Sequence, residues 1–164
     1  MAYPELKNAF HMYLKAQNSD PVYTNEAGPP GTRIFVQIVG GYLESTNEAL
    51  PFEAKILTGT NWLFKTPENH LTLDVRMRCE TDDGHGLYVH YTGYTYPTEA
   101  MNAVFAGTGT TMEFGSTEFF IGPILETDSP KYAWVNNKKF VGRGRFVRDA
   151  EGFMGAEYYV SLVA

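Results

Sequence analysis

Leu71 to Gly93 reads LTLDVRMRCETDDGHGLYVHYTG, and this stretch decides the fold class. Two alternating runs, Leu71 to Thr81 and Gly86 to Gly93, flank an Asp-Asp-Gly turn signal, the pattern of a β-hairpin. Side chains alternate along a strand, so Leu71, Leu73, Val75, Met77 and Cys79 share one side of the first arm. Thr72, Asp74, Arg76, Arg78 and Glu80 share the other. A turn that closes with Thr81 opposite Gly86 sets Arg76 across from Tyr91 and Glu80 across from Leu87. The polar face then mixes carboxylates, guanidinia, a phenol and aliphatic groups. A solvated outer wall has that composition, and so does the wall of a binding cavity.

Upstream of the hairpin, residues 1–20 fit either helix or strand, with the alternation of Phe10, Met12 and Leu14 favouring strand. Residues 18–32, NSDPVYTNEAGPPGT, are rich in turn formers and predict a loop. Arg33 to Val39 is an apolar strand, bent at Gly40-Gly41 and continued by Tyr42 to Glu44. Phe52 to Thr58 predicts another strand, with Gly59-Thr60-Asn61 turning the chain into Trp62, Leu63 and Phe64. Downstream, Thr98-Glu99 opens a short helix over Ala100 to Ala106 that Gly107 ends. Thr117 to Leu125 is a strand, Lys131 to Val135 and Lys138 to Phe146 pair about Asn136-Asn137, and Phe153 to Leu162 is the last strand. About ten strands with short antiparallel links predict an all-β chain closed into a barrel, which removes exposed edges.

The length of 164 residues fits a single domain over residues 1–164, large enough to bury a core. Hydrophobic residues at 43% and charged ones at 20% mark a globular chain. A net charge of -6 argues against nucleic acid as the partner, because a duplex binder carries a basic footprint. Apolar runs fall short of a membrane span, and the single Cys79 excludes an internal disulfide. With no charged-then-apolar leader, the expected setting is the cytoplasm. The 11 Tyr, 11 Phe and 2 Trp suit strands, and aromatics also line apolar ligand pockets.

Candidate chemistry starts with Asp74 and Arg76, neighbours on one strand face. In a cavity such a pair can hold a substrate oxygen and pass a proton; on a surface it is an ion-pair ladder with Arg78 and Glu80. His11, His70, His85 and His90 lack metal-ligand spacing, so no metal is expected. Tyr88 and His90 face away from Tyr91. Gly142-Arg143-Gly144 lacks the rest of a dinucleotide fingerprint and reads as strand glycines that allow close packing. Lys138, Lys139, Arg143, Arg145 and Arg148 form the one basic concentration, either a solvated face or an anion site. Glu113, Glu118 and Glu126 surround Phe119-Phe120, and a carboxyl near Trp134 would have its pKa raised.

RIFVQIVGGYL (Arg33 to Leu43), the Gly59 to Trp62 segment, LDVRMRCETDDGHGLYVHYTG (Leu73 to Gly93) and ILETDSPKYAWVNNKKFVGRG (Ile124 to Gly144) occur in an order that resembles the domain-of-unknown-function 3237 family. The resemblance implies a calycin-like, lipocalin-like antiparallel barrel with an internal cavity. It also implies kinship with cofactor-free enzymes of fungal polyketide pathways that close oxygen rings by adding a hydroxyl across an alkene. The chain departs from the family pattern at Asn61, where an Asp is usual, and at Phe119-Phe120-Ile121, where an aromatic-aromatic-Arg run is usual. The resulting expectation is a cofactor-free cyclase or isomerase acting on a hydrophobic or aromatic small molecule. Asp74 and Arg76 are then expected to face the barrel interior and, with Glu80, to be catalytic, with Arg33, Trp62, Tyr88, Tyr91, Phe120 and Trp134 binding substrate. A non-catalytic carrier of a hydrophobic small molecule is the alternative, and a homo-oligomer is compatible with either.

Overall fold

Strands that pair with their sequence neighbours, and a last strand that returns to the first, leave no open edge. The computed structural model describes residues 2–24 and 27–164. Its strands are β1 (Leu6–Thr24), β2 (Thr32–Ser45), β3 (Glu53–Lys65), β4 (Leu71–Thr81), β5 (Gly86–Thr95), β6 (Phe119–Thr127), β7 (Phe140–Arg148) and β8 (Met154–Val163). They form one closed barrel in chain order, antiparallel at every seam. One helix, α1 (Glu99–Ala106), joins β5 to β6, and a 3-10 turn at Ala133–Val135 precedes β7. Among the described residues, no helix is long and apolar enough to cross a membrane.

Among the described residues, eight strands stand where about ten were expected, because one expected turn is continuous strand and one expected strand does not form. β2 bends at Gly40-Gly41 and continues, as expected, with Gly41 at φ 131° and a register shift against β1 between Lys15 and Ala16. β3 runs through Gly59-Thr60-Asn61. A Cβ at Gly59 would stand 2.6 Å from the Arg76 carbonyl oxygen, so this glycine serves close approach rather than a turn. Lys131 to Val135 is no strand. Asn136 instead ties the segment to the end of β6, its amide bonding Thr127 N and O at 3.0 and 2.9 Å. β1 continues to Thr24 through half of the expected 18–32 loop, in which Asn25 and Glu26 lie outside the described residues.

The β4–β5 turn differs from expectation by one residue. Thr81 N donates to His85 O at 2.9 Å, so the loop is Asp82, Asp83 and Gly84, with Gly84 left-handed at φ 83°. Arg76 is therefore paired with His90, Glu80 with Gly86, and Tyr91 with Val75. A slip of one residue carries a side chain to the opposite face, which is why Tyr91 lies inside. The turn is anchored below: Asp82 accepts from Lys131 and from the Tyr132 hydroxyl, both at 2.6 Å, and Asp83 from Thr81 and Ser129. The bonds from Lys131 and Tyr132 hold the Asp82 carboxyl below the usual carboxylate range.

The barrel is filled. Leu73, Val75, Met77, Val89, Tyr91, Ile121 and Tyr158 are all buried, with Phe10, Phe52, Tyr132 and Phe140 packed at one end. At the other end α1 buries Met101 and Val104 and lays Phe105 against Phe146 at 4.9 Å. Arg148 fixes the helix by donating to the Val104 and Phe105 carbonyls at 2.6 and 3.0 Å. The expectation for Gly142 and Gly144 holds: a Cβ on Gly144 would meet the Tyr158 ring at 2.5 Å. Closure is thinnest between β6 and β7, where only Phe120 with Arg143 and Ile121 with Gly142 are in register.

Candidate functional site

The apolar alternates of β4 fill the interior, which sends the charged alternates to the outer wall. The expectation that Asp74 and Arg76 face the lumen is thereby overturned. Leu73 and Val75 are buried, while the side chains of Asp74 and Arg76 are 45% and 61% exposed. Bare charges in so tightly filled a lumen would lose hydration without compensation. The same shift of register supplies a new neighbour. Asp74 Oδ1 lies 3.1 Å from His90 Nε2 and 3.8 Å from Arg76 Nε. With the Nε2 proton on the Asp74 side, His90 keeps a lone pair on Nδ1 and is held in orientation by the carboxylate.

Two grooves meet at this group. One, of about 610 Å3, is bordered by Arg33, Trp62, His70, Asp74, Tyr94 and Phe120. Its floor is low because Gly122 faces outward with open space where a Cβ would be. The other, of about 830 Å3, is bordered by Arg76, Arg78, Tyr88 and Glu126 over Thr58 and Thr60. Asp74 and Arg76 stand on the ridge between them. Aromatic faces are available beside it: Trp62 and Tyr88 are 43% and 40% exposed. Arg33 lies 4.7 Å over the Phe64 ring and Arg143 5.3 Å over Phe120, holding cations at the groove margins.

Among the expected residues, Asp74, Arg76, Arg33, Trp62, Tyr88 and Phe120 thus share the outer wall of β2 to β6. Glu80 stands apart, paired with Lys55 at 3.1 Å toward the hairpin turn. Tyr91 is inside the barrel. Trp134 belongs to the packed end, where its Nε1 donates to Pro51 O and its ring meets Phe52 and Phe140. Glu113, Glu118 and Glu126 are exposed, and none lies in a buried pocket with Trp134. The basic concentration is divided: Arg145 pairs with Glu157 at 2.7 Å, Arg148 holds α1, and Lys138, Lys139 and Arg143 are exposed. His90, which the sequence reading places on the face away from Tyr91, is the residue missing from the expected site. The signal for it was the glycine in third position of Asp82-Asp83-Gly84, which favours the three-residue loop and its register.

The interior offers little volume. Where the resemblance implied an internal cavity, the lumen holds a cavity of about 30 Å3, lined by Asn61, Tyr91 and apolar side chains. The Tyr91 and Tyr158 hydroxyls are 3.2 Å apart, and burial pushes both phenols well above their ordinary range. Burial likewise pushes the Cys79 thiol up to about 12, which makes it inert as a nucleophile. Among the described residues, no group of three or more His, Cys, Asp and Glu converges as a metal site would require.

A family model described as "Protein of unknown function (DUF3237)" matches residues 4–163, and the chain belongs to that family. A UPF0311 protein of Clostridium acetobutylicum is 29% identical over 123 residues, 74% of each chain. The crystal structure of a conserved protein of unknown function from Rhodopseudomonas palustris superposes with a TM-score of 0.80 at 23% identity, covering 100% of both chains. That of an enzyme from Penicillium herquei superposes with a TM-score of 0.61 at 16% identity, over 100% of this chain and 97% of the other. Identities this low establish a shared barrel fold.

Proposed function

We propose that the chain is a cofactor-free cyclase or isomerase that closes an oxygen heterocycle in a polyketide-like or prenylated aromatic molecule. The observation that carries this reading is the Asp74–His90 contact at 3.1 Å, flanked by Arg76, on a ridge between two aromatic-bordered grooves. A flat substrate lies along Trp62 and Phe120, with its hydroxyl toward His90 and Arg76. His90 removes the hydroxyl proton, and Asp74 stabilises the imidazolium that forms. The oxygen adds to one alkene carbon as the π bond breaks, and the imidazolium returns the proton to the other. Product and substrate have equal mass. Arg76 steadies the negative charge that develops on oxygen.

An enzyme with this fold exists in Penicillium herquei, and that neighbour supports catalysis on such a barrel. A cavity of about 30 Å3 inside the barrel is far below the roughly 300–1,000 Å3 of ordinary ligand pockets, which favours the outer grooves as the place where substrate binds.

The test incubates the purified chain with hydroxyl- and alkene-bearing aromatic polyketides and follows mass-neutral products by chromatography. Asp74→Asn and His90→Gln should each lower turnover about a hundredfold with no change in melting temperature. Full turnover in Asp74→Asn would remove the pair from the mechanism.

A further inference from the structure

Inside the barrel, on the face of the hairpin opposite the grooves, polar groups stand without partners. Asn61 is 8% exposed, and its Oδ1 has no hydrogen-bond partner. It lines the cavity of about 30 Å3 together with Tyr91, Leu14, Val36, Leu63 and Met154. Asn61 pairs with Val75 across β3 and β4, and Val75 with Tyr91 across β4 and β5. Asn61 and Tyr91 therefore occupy one row of the wall, about 10 Å apart at the backbone.

Their hydrogen-bonding needs are complementary. Tyr91 donates to Tyr158, and two phenols joined by one hydrogen bond use one of their two protons; turning both hydroxyls so that Tyr158 donates instead keeps that bond and frees the Tyr91 proton for a ligand. Asn61 Oδ1 requires a donor, since a buried acceptor left unpaired has lost its hydration with nothing in return. A hydroxyl group satisfies both, donating to Asn61 and accepting from the phenol. Among the described residues no charged side chain lines the cavity, so an ionised ligand would enter without a counter-charge. The remaining walls are aliphatic, apart from Phe146.

We infer that the upper lumen is a binding site for the hydroxyl end of a small neutral alcohol or phenol. The hydroxyl sits between Asn61 and Tyr91. The apolar body takes the place of the Met154 side chain, which is only partly buried at the rim and is flexible enough to swing aside. This site is separate from the Asp74–His90 ridge, and either can fail without the other.

The test uses phenol, toluene and benzoate as probes against protein labelled with 13C at methionine methyls. Phenol should shift the Met154 methyl resonance saturably in the millimolar range, and toluene and benzoate should bind at least tenfold more weakly. Asn61→Leu keeps the shape and removes the orphan acceptor. It should hold or raise the melting temperature and weaken phenol binding tenfold or more. Toluene binding as tightly as phenol, or phenol binding undiminished in Asn61→Leu, would overturn the site. So would the absence of a saturable phenol shift, the result expected of a cavity that holds only water. Should Asn61→Leu fail to fold, the contrast between phenol and toluene on the native chain decides alone.

Discussion

The inner and outer faces of the β4–β5 hairpin are built on the same two strands and obey different rules. Inside, Leu73, Val75, Met77, Leu87, Val89 and Tyr91 are each at most 2% exposed. Outside, Asp74, Arg76, Arg78, Tyr88 and His90 retain contact with water, and their partners are few. The inner face therefore specifies shape, and the outer face is free to specify chemistry. A change of register by one residue would exchange the two sets, so the three-residue turn determines which chemistry reaches solvent.

This contrast can be broken from the inside first. Leu87→Ala leaves a void in a filled lumen and should cost about 2–5 kcal/mol in a denaturant titration, with no change in the slope. A loss below about 1 kcal/mol would mean that the interior relaxes and is less tightly packed than described. The turn comes next. Gly84→Ala forces a side chain onto a left-handed residue, and should cost about 1–2 kcal/mol although open space surrounds the new Cβ. Smallest is the outer wall: Arg78→Ala, which has no ion-pair partner among the described residues, should move stability by no more than about 0.5 kcal/mol. A larger loss there would show that the outer face is part of the packing after all.

The alternation of β4 was legible in the sequence, as were the helix from Thr98 to Gly107 and the close-packing glycines on β7. Local pattern carries those features. Closure into a barrel followed from the number of strands and their short links. What local pattern does not carry is the phase between two strands, which depends on whether a turn holds three residues or four. A four-residue turn sets Arg76 against Tyr91 and sends His90 to the other face, whereas the three-residue turn pairs Arg76 with His90. The filling of the lumen was equally out of reach, because it depends on how Tyr91, Tyr158 and Phe146 interlock once eight strands have closed. Trp134 was misplaced by the same kind of gap: its segment reads as a strand, but Asn136 and Pro51 hold it across the packed end.

The seam at Phe120–Arg143 and Ile121–Gly142 makes the barrel resemble a clasp more than a ring. A cylinder with one weakly laced joint opens there first, as a sheet whose other strands stay in register. Amides of β6 and β7 beside the seam should exchange with deuterium ahead of those of β4 and β5. Each opening would present two unpaired strand edges, the surface by which β proteins join one another or exchange strands. The α1 helix, fixed by Arg148 at the end of β7, and the Asn136 tie at the end of β6 sit at opposite ends of this joint. They act as its two fasteners, and concentration-dependent association is the expected outcome of loosening either.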